Sequence, residues 1–92
     1  MDTKNIINEA LQIMKAHDWT WFMADFGYTQ YYEGARANMR HFVSVISKID
    51  DAQKRDALRE LWTLKYYNTR ASVNGQTADE SKESELMQII AA

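Results

Sequence analysis

The sequence predicts an all-α fold: a small single-domain helical bundle with three main helices, a short aromatic helix after the first, and a peripheral C-terminal helix. Three observations predict it. Proline is absent and glycine occurs three times in 92 residues, so helix punctuation is sparse. Apolar residues recur at three- and four-residue spacing along most of the chain. Alternating apolar and polar runs joined by tight turns, the signature of hairpins, are nearly missing. A chain of this length makes one domain, residues 1–92, with no room for a second.

The first helix is expected from Thr3 to Ala16. Asp2 or Thr3 can cap it by accepting a backbone N–H bond. Ile6, Ala10 and Ile13 form one stripe and Ile7, Leu11 and Met14 the next, giving the broad apolar face of a core helix.

The stretch HDWTWFMADFGYTQYY, residues 17–32, holds seven of the eleven aromatics. Read as a helix over 19–26, Asp18 caps it and Gly27 stops it. Trp19, Phe22, Met23 and Phe26 then fall at i, i+3, i+4 and i+7 and enter the core. Read as a strand, both faces are apolar, and the chain offers no partner strands to cover them. The helix is the preferred reading. It leaves Trp21 about 160° from the Trp19–Phe26 face, so Trp21 either lies under the C-terminal helix or meets a partner.

The second main helix carries a seam: Tyr28, Tyr32, Ala35, Met39, Phe42, Ile46 and Ile49, spaced 4, 3, 4, 3, 4, 3. Such a seam packs lengthwise against neighbours, within one chain or across two. Gly34 interrupts it at a cost of about 1 kcal/mol relative to Ala. Asp50 with Gln53 reads as a variant capping box for the third main helix. That helix is expected to run to Tyr67, with Ala57, Leu58, Leu61, Trp62 and Leu64 inward. Residues 68–76 are polar, contain Asn-Gly and read as a loop. Thr77 with Glu80 forms a second capping box, opening a C-terminal helix over 77–92 in which only Leu86, Met87, Ile89 and Ile90 can dock.

Cysteine is absent, which removes disulfides and thiolate metal sites. The start, MDTKNIINEAL, has no basic segment followed by an apolar one, so no secretory signal is expected. No apolar run approaches a membrane span. A cytoplasmic protein follows as the expectation. Net charge is −2, unevenly spread. Residues 1–34 carry two Lys against five acids, residues 35–70 eight Lys and Arg against four acids, and residues 71–92 one Lys against four acids. A basic middle between acidic ends suits an acidic partner or compensation within the fold.

Catalytic motifs are lacking. Asp25-Phe26-Gly27 matches the kinase magnesium tripeptide, but no Gly-rich loop or His-Arg-Asp loop accompanies it. His17 and His41 are the only imidazoles and have no metal-ligand spacing. His17 is expected at the end of the first helix, where a cationic ring suits the dipole. Nothing in the spacing of Asp18, Asp25 and Glu33 forces the carboxylates together. The expectation is a non-enzyme without cofactor or metal.

Two rows attract attention instead. Arg36, Arg40, Ser44 and Lys48 lie four apart beside the seam, and Arg40 and Lys48 have no acid three or four residues away within their own helix. Arg55, Arg59, Trp62 and Tyr66 follow 4, 3, 4 spacing and mix guanidinium groups with aromatics. Tyr31 flanks the seam and Tyr67 falls on the polar face. The candidate interaction surface is therefore Trp21, Tyr31, Arg36, Arg40, Lys48, Arg55, Arg59, Trp62, Tyr66 and Tyr67, the composition of an interface hot spot. The leading functional expectation is a helical protein-interaction or oligomerisation module whose partner is another protein or a second copy, as in a homodimer. The alternative is a nucleic-acid-associated regulator using Arg36, Arg40, Lys48, Arg55 and Arg59, against which the overall acidity of the chain counts.

Overall fold

A computed structural model describes residues 2–92. It contains α1 (Thr3–Ala16), a 3-10 turn (Trp21–Met23), α2 (Tyr28–Ile46), α3 (Ala52–Val73) and α4 (Glu80–Ala91). The described residues contain no strand, and the bundle is all-α.

Local chemistry sets each boundary. Asp2 caps α1 by accepting from the Lys4 N–H at 3.2 Å. Asp51, one residue after the expected Asp50, caps α3 and accepts from the N–H groups of Gln53 and Lys54. α3 does not stop at Tyr67 but runs on to Val73. Gly75, at φ +74°, ends it by letting the Gln76 N–H reach the Ala71 carbonyl at 2.7 Å. The predicted loop over 68–76 therefore begins later, because its polar residues Asn68 and Thr69 bond within the structure instead of to water. Thr69 donates its hydroxyl to the Lys65 carbonyl at 2.8 Å. Asp79, not Thr77, caps α4, accepting from the Lys82 N–H at 3.1 Å.

Asn68 joins α3 to α4. Its amide donates to the Asp79 carbonyl at 3.1 Å and to the Glu83 carboxylate at 2.7 Å, and its oxygen accepts from the Asp79 N–H at 3.0 Å. Lys65 pairs with Glu83 at 3.2 Å beside it. α4 lies outermost, yet Leu86 and Ile90 are buried and close the core against α3.

The core comprises Ile6, Ile7, Ala10 and Met14 of α1, Phe42, Val45 and Ile46 of α2, Ile49, and Ala57, Leu58, Leu61 and Trp62 of α3, with those two α4 residues. It gathers at one end of the molecule. Extents of 41 × 28 × 16 Å and a radius of gyration of 13.9 Å exceed the radius of about 12 Å for a compact chain of this length.

The seam of α2 is the reason. Phe42, Ile46 and Ile49 are buried as expected, but Tyr28, Tyr32 and Met39 are exposed. α1 explains the division. It ends level with Asn38, where the Asn38 amide nitrogen meets His17 Nδ1 at 3.0 Å. The α2 residues before that point extend past the end of α1 and are flanked by the 3-10 turn, by Ala16, His17 and Asp18 at the end of α1, and by part of α3. Gly34 lies in this stretch, and a methyl group there would meet nothing within 4 Å. Gly34→Ala is therefore expected to raise stability by about 0.5–1 kcal/mol through helix propensity. A urea titration should show a higher midpoint at unchanged slope; a lower midpoint would mean the position requires glycine.

The aromatic stretch also departs from the expected 19–26 helix. The Asp18 carboxylate accepts from the Thr20 N–H at 2.9 Å and the Thr20 hydroxyl at 2.7 Å, a local turn that does not cap a helix. Trp19 folds back, donating its indole N–H to the Met14 carbonyl at 3.0 Å. One 3-10 turn is all that follows. Trp19 and Phe22 are partly buried, whereas Met23 is exposed and Phe26 is 94% exposed instead of filling the core. Gly27, at φ +79°, starts α2 instead of stopping a helix.

Candidate functional site

The overhanging part of α2, the second half of α3 and the 3-10 turn enclose a groove of about 350 Å³. Its floor is built from the core. Trp62 sits 4.7 Å from Trp19, 4.7 Å from His17 and 4.7 Å from Phe42, centroid to centroid. His17 meets Trp19 edge-on at 4.6 Å. These contacts, with the indole bond to Met14, hold the floor in place.

The walls are aromatic and more exposed. Trp21 stacks on Tyr66 at 6.1 Å with planes 16° apart, and lies 5.6 Å from Tyr32 and 5.8 Å from Tyr28. Tyr28 and Tyr32 stack at 6.3 Å. Met39 lies 43% exposed on the α2 wall, and Tyr67 is 60% exposed on the α3 wall. Phe22 packs against Tyr66 at 5.8 Å, and the Arg70 guanidinium lies over both rings, at 5.6 and 5.7 Å. Arg70 also donates to the Tyr66 hydroxyl at 3.2 Å.

The candidate residues divide. Trp21, Arg36, Trp62, Tyr66 and Tyr67 line the groove. Arg40 is one turn beyond Arg36, and Arg59 one turn before Thr63, so both sit on its rims. Trp21 is half-buried in the aromatic wall, under no part of α4. Tyr31, 50% exposed, lies on the other side of α2 in a second cleft with Gly34 and Asn38. Lys48 is exposed near the core end, away from the groove. Arg55 is taken up structurally, donating to the Ile49 carbonyl at 3.1 Å.

Several residues in or beside the groove lie outside the candidate surface expected from the sequence. Tyr32 and Met39 in the groove, and Tyr28 beside it, belong to the seam, whose closure within one chain or across two the spacing leaves open; α1 spans 14 residues against 19 in α2. Arg70 continues the Arg55, Arg59, Trp62, Tyr66 row by one further turn.

The charge at the rim is free. Among the described residues the ion pairs are Lys65–Glu83 and Lys82–Glu60, both between α3 and α4. None involves Arg36, Arg40, Arg59 or Arg70. No three His, Cys, Asp or Glu side chains among the described residues converge in a way that could hold a metal ion, and no described helix is long and apolar enough to cross a membrane.

His17 is the one titratable group in the floor. Burial pushes its imidazole below the ordinary histidine range, and the Asp18 carboxylate opposes this in part. Asp18 is itself held below the usual carboxylate range by the Thr20 hydroxyl and N–H. The expected cationic ring at the helix end is thus replaced by a neutral one that accepts from Asn38; protonation would set two donors against each other. The unfolded chain then binds a proton more readily than the folded one. Stability is full above the unfolded histidine pKa, near 6.5, and falls as pH drops through the folded value. Melting temperature should decline between pH 7 and pH 5, and His17→Gln should flatten that decline. An unchanged slope in the variant would place the titration elsewhere.

The chain matches no family model, no curated protein and no solved structure.

Proposed function

We propose that the protein is a helical interaction module that binds another protein, or a second copy of itself, through the groove between α2 and α3. The observation that carries this reading is the contiguous exposure of Tyr28, Tyr32, Met39 and Tyr67 over a rigid tryptophan floor. Monomeric proteins rarely leave large apolar patches uncovered without a use. Aromatic residues beside arginine are also the side chains that dominate binding energy at interfaces.

A double variant, Tyr32→Ser with Met39→Ser, tests the reading. It should keep the helical content and most of the stability, yet abolish association measured by light scattering or by titration with helical peptides. Unfolding of the variant would make these residues core, and undiminished association would place the binding face elsewhere.

Nucleic acid is the second reading, supported by the unpaired Arg36, Arg40 and Arg59 beside Tyr66 and Tyr67. Counterion release makes such binding collapse with rising salt, whereas an aromatic-anchored protein contact weakens little. The dispersal of Lys48 and Arg55 away from the groove weighs against a continuous phosphate track.

A further inference from the structure

We infer that the groove receives an acidic amphipathic helix from another protein, an assignment that rests on the interaction-module reading above. Shape, length and charge each narrow the occupant.

The groove lies between two helices that present apolar side chains to an empty position. A third helix fills such a space with anchors at i, i+3, i+4 and i+7. From Tyr32 to Met39 the groove wall on α2 is about 10 Å long at 1.5 Å per residue, or about two turns of a docked helix. The tryptophan floor and the Trp21–Tyr66 stack give its anchors a preformed surface.

Charge selects the sign. Arg36 lines the groove on α2 with Arg40 one turn on; on α3 Arg59 lies one turn before Thr63, and Arg70 one turn after Tyr66 with its guanidinium over the Phe22 and Tyr66 rings. All four are exposed, and none is in an ion pair. The acids on the same faces are Glu33, three residues before Arg36, and Asp56 and Glu60, seven and three before Thr63, of which Glu60 is paired with Lys82 at 3.8 Å. Two rows of cations flanking an apolar strip complement a helix with carboxylates on either side of its apolar stripe. A second copy docked groove to groove about a two-fold axis would bring each arginine row toward another. Like charges across an interface disfavour that pairing.

The test is a displayed library of sixteen-residue helices with Leu, Phe or Trp on one stripe and Glu, Gln or Lys randomised at the flanking positions. Selection on the full chain at physiological salt should enrich Glu over Lys, and resynthesised Glu-flanked helices should bind about tenfold or more tighter than their Lys counterparts. The charge-reversed protein, Arg36→Glu with Arg59→Glu, should invert the preference while keeping its thermal melt. Selected helices with no charge preference, or with Lys preferred, would overturn the acidic assignment and leave the interaction module standing. A dimer formed through Tyr32 and Met39 would do the same. Tight binding of a thymidine oligonucleotide that displaces the helices would overturn it in favour of nucleic acid. Selection of no helix, together with a monomer at all concentrations, would remove both this inference and the module reading.

Discussion

Phe42→Ala is expected to destabilise the protein by about 3–5 kcal/mol, whereas Met39→Ala, one turn earlier on the same seam, should cost about 1 kcal/mol or less. Phe42 is 1% exposed and packs 4.7 Å from Trp62. Its truncation removes a buried ring where α1, α2 and α3 meet and leaves a cavity that those helices cannot fill without shifting. Met39 is 43% exposed and already spends much of its surface in water. A chain of this length has roughly 5–14 kcal/mol of stability in total, so the first change puts the fold at risk and the second does not. Urea denaturation of both variants measures the contrast. Comparable losses would mean that the seam is covered along its whole length.

Leu86→Ala carries the second large effect, a loss of about 2–5 kcal/mol. Leu86 is 2% exposed, and with Ile90 it forms the whole of the fully buried surface that α4 contributes. The polar fastenings of α4, through Asn68 and the Lys65–Glu83 pair, are partly exposed; an exposed ion pair of this kind contributes about 0–1 kcal/mol. They set the register of α4 on α3, while Leu86 and Ile90 hold it there. Thermal melts should show the loss as one cooperative transition at lower temperature. A variant that melts like the parent would mean that α4 is dispensable to the core.

Much of the helical layout was legible in the sequence, because it depends on periodicity and capping. The α1 face of Ile6, Ile7, Ala10 and Met14 repeats as helix geometry requires, and α3 turns Ala57, Leu58, Leu61 and Trp62 inward as its spacing indicates. Boundaries were less legible where two polar residues compete for one task. Asp50 and Asp51 are both able caps, and the chain uses the second. Asn68 looks like a loop former but bonds across to Asp79 and Glu83, a choice that only the docking of α4 makes favourable.

The groove was the least legible feature, for a physical reason. A heptad-like seam states which side chains share a face; it does not state how far the opposing helix reaches. Tyr28, Tyr32 and Met39 obey the same spacing as Phe42, Ile46 and Ile49, yet α1 ends at Ala16 and leaves them open. His17 departs from expectation for a related reason. Its position at the end of α1 suits a cationic ring at the helix dipole, but Trp19 and Trp62 close around it.

Amide hydrogen exchange along α2 in the free protein tests most directly whether the helix is divided into a core half and an open docking half. Amides of residues 42–46 should exchange only through global unfolding, and those of residues 31–38 should exchange orders of magnitude faster through local opening. Addition of a selected acidic helix should then slow the 31–38 set specifically. Uniform slow exchange across α2 in the dilute free protein, unaltered by the peptide, would contradict the open groove and the function assigned to it.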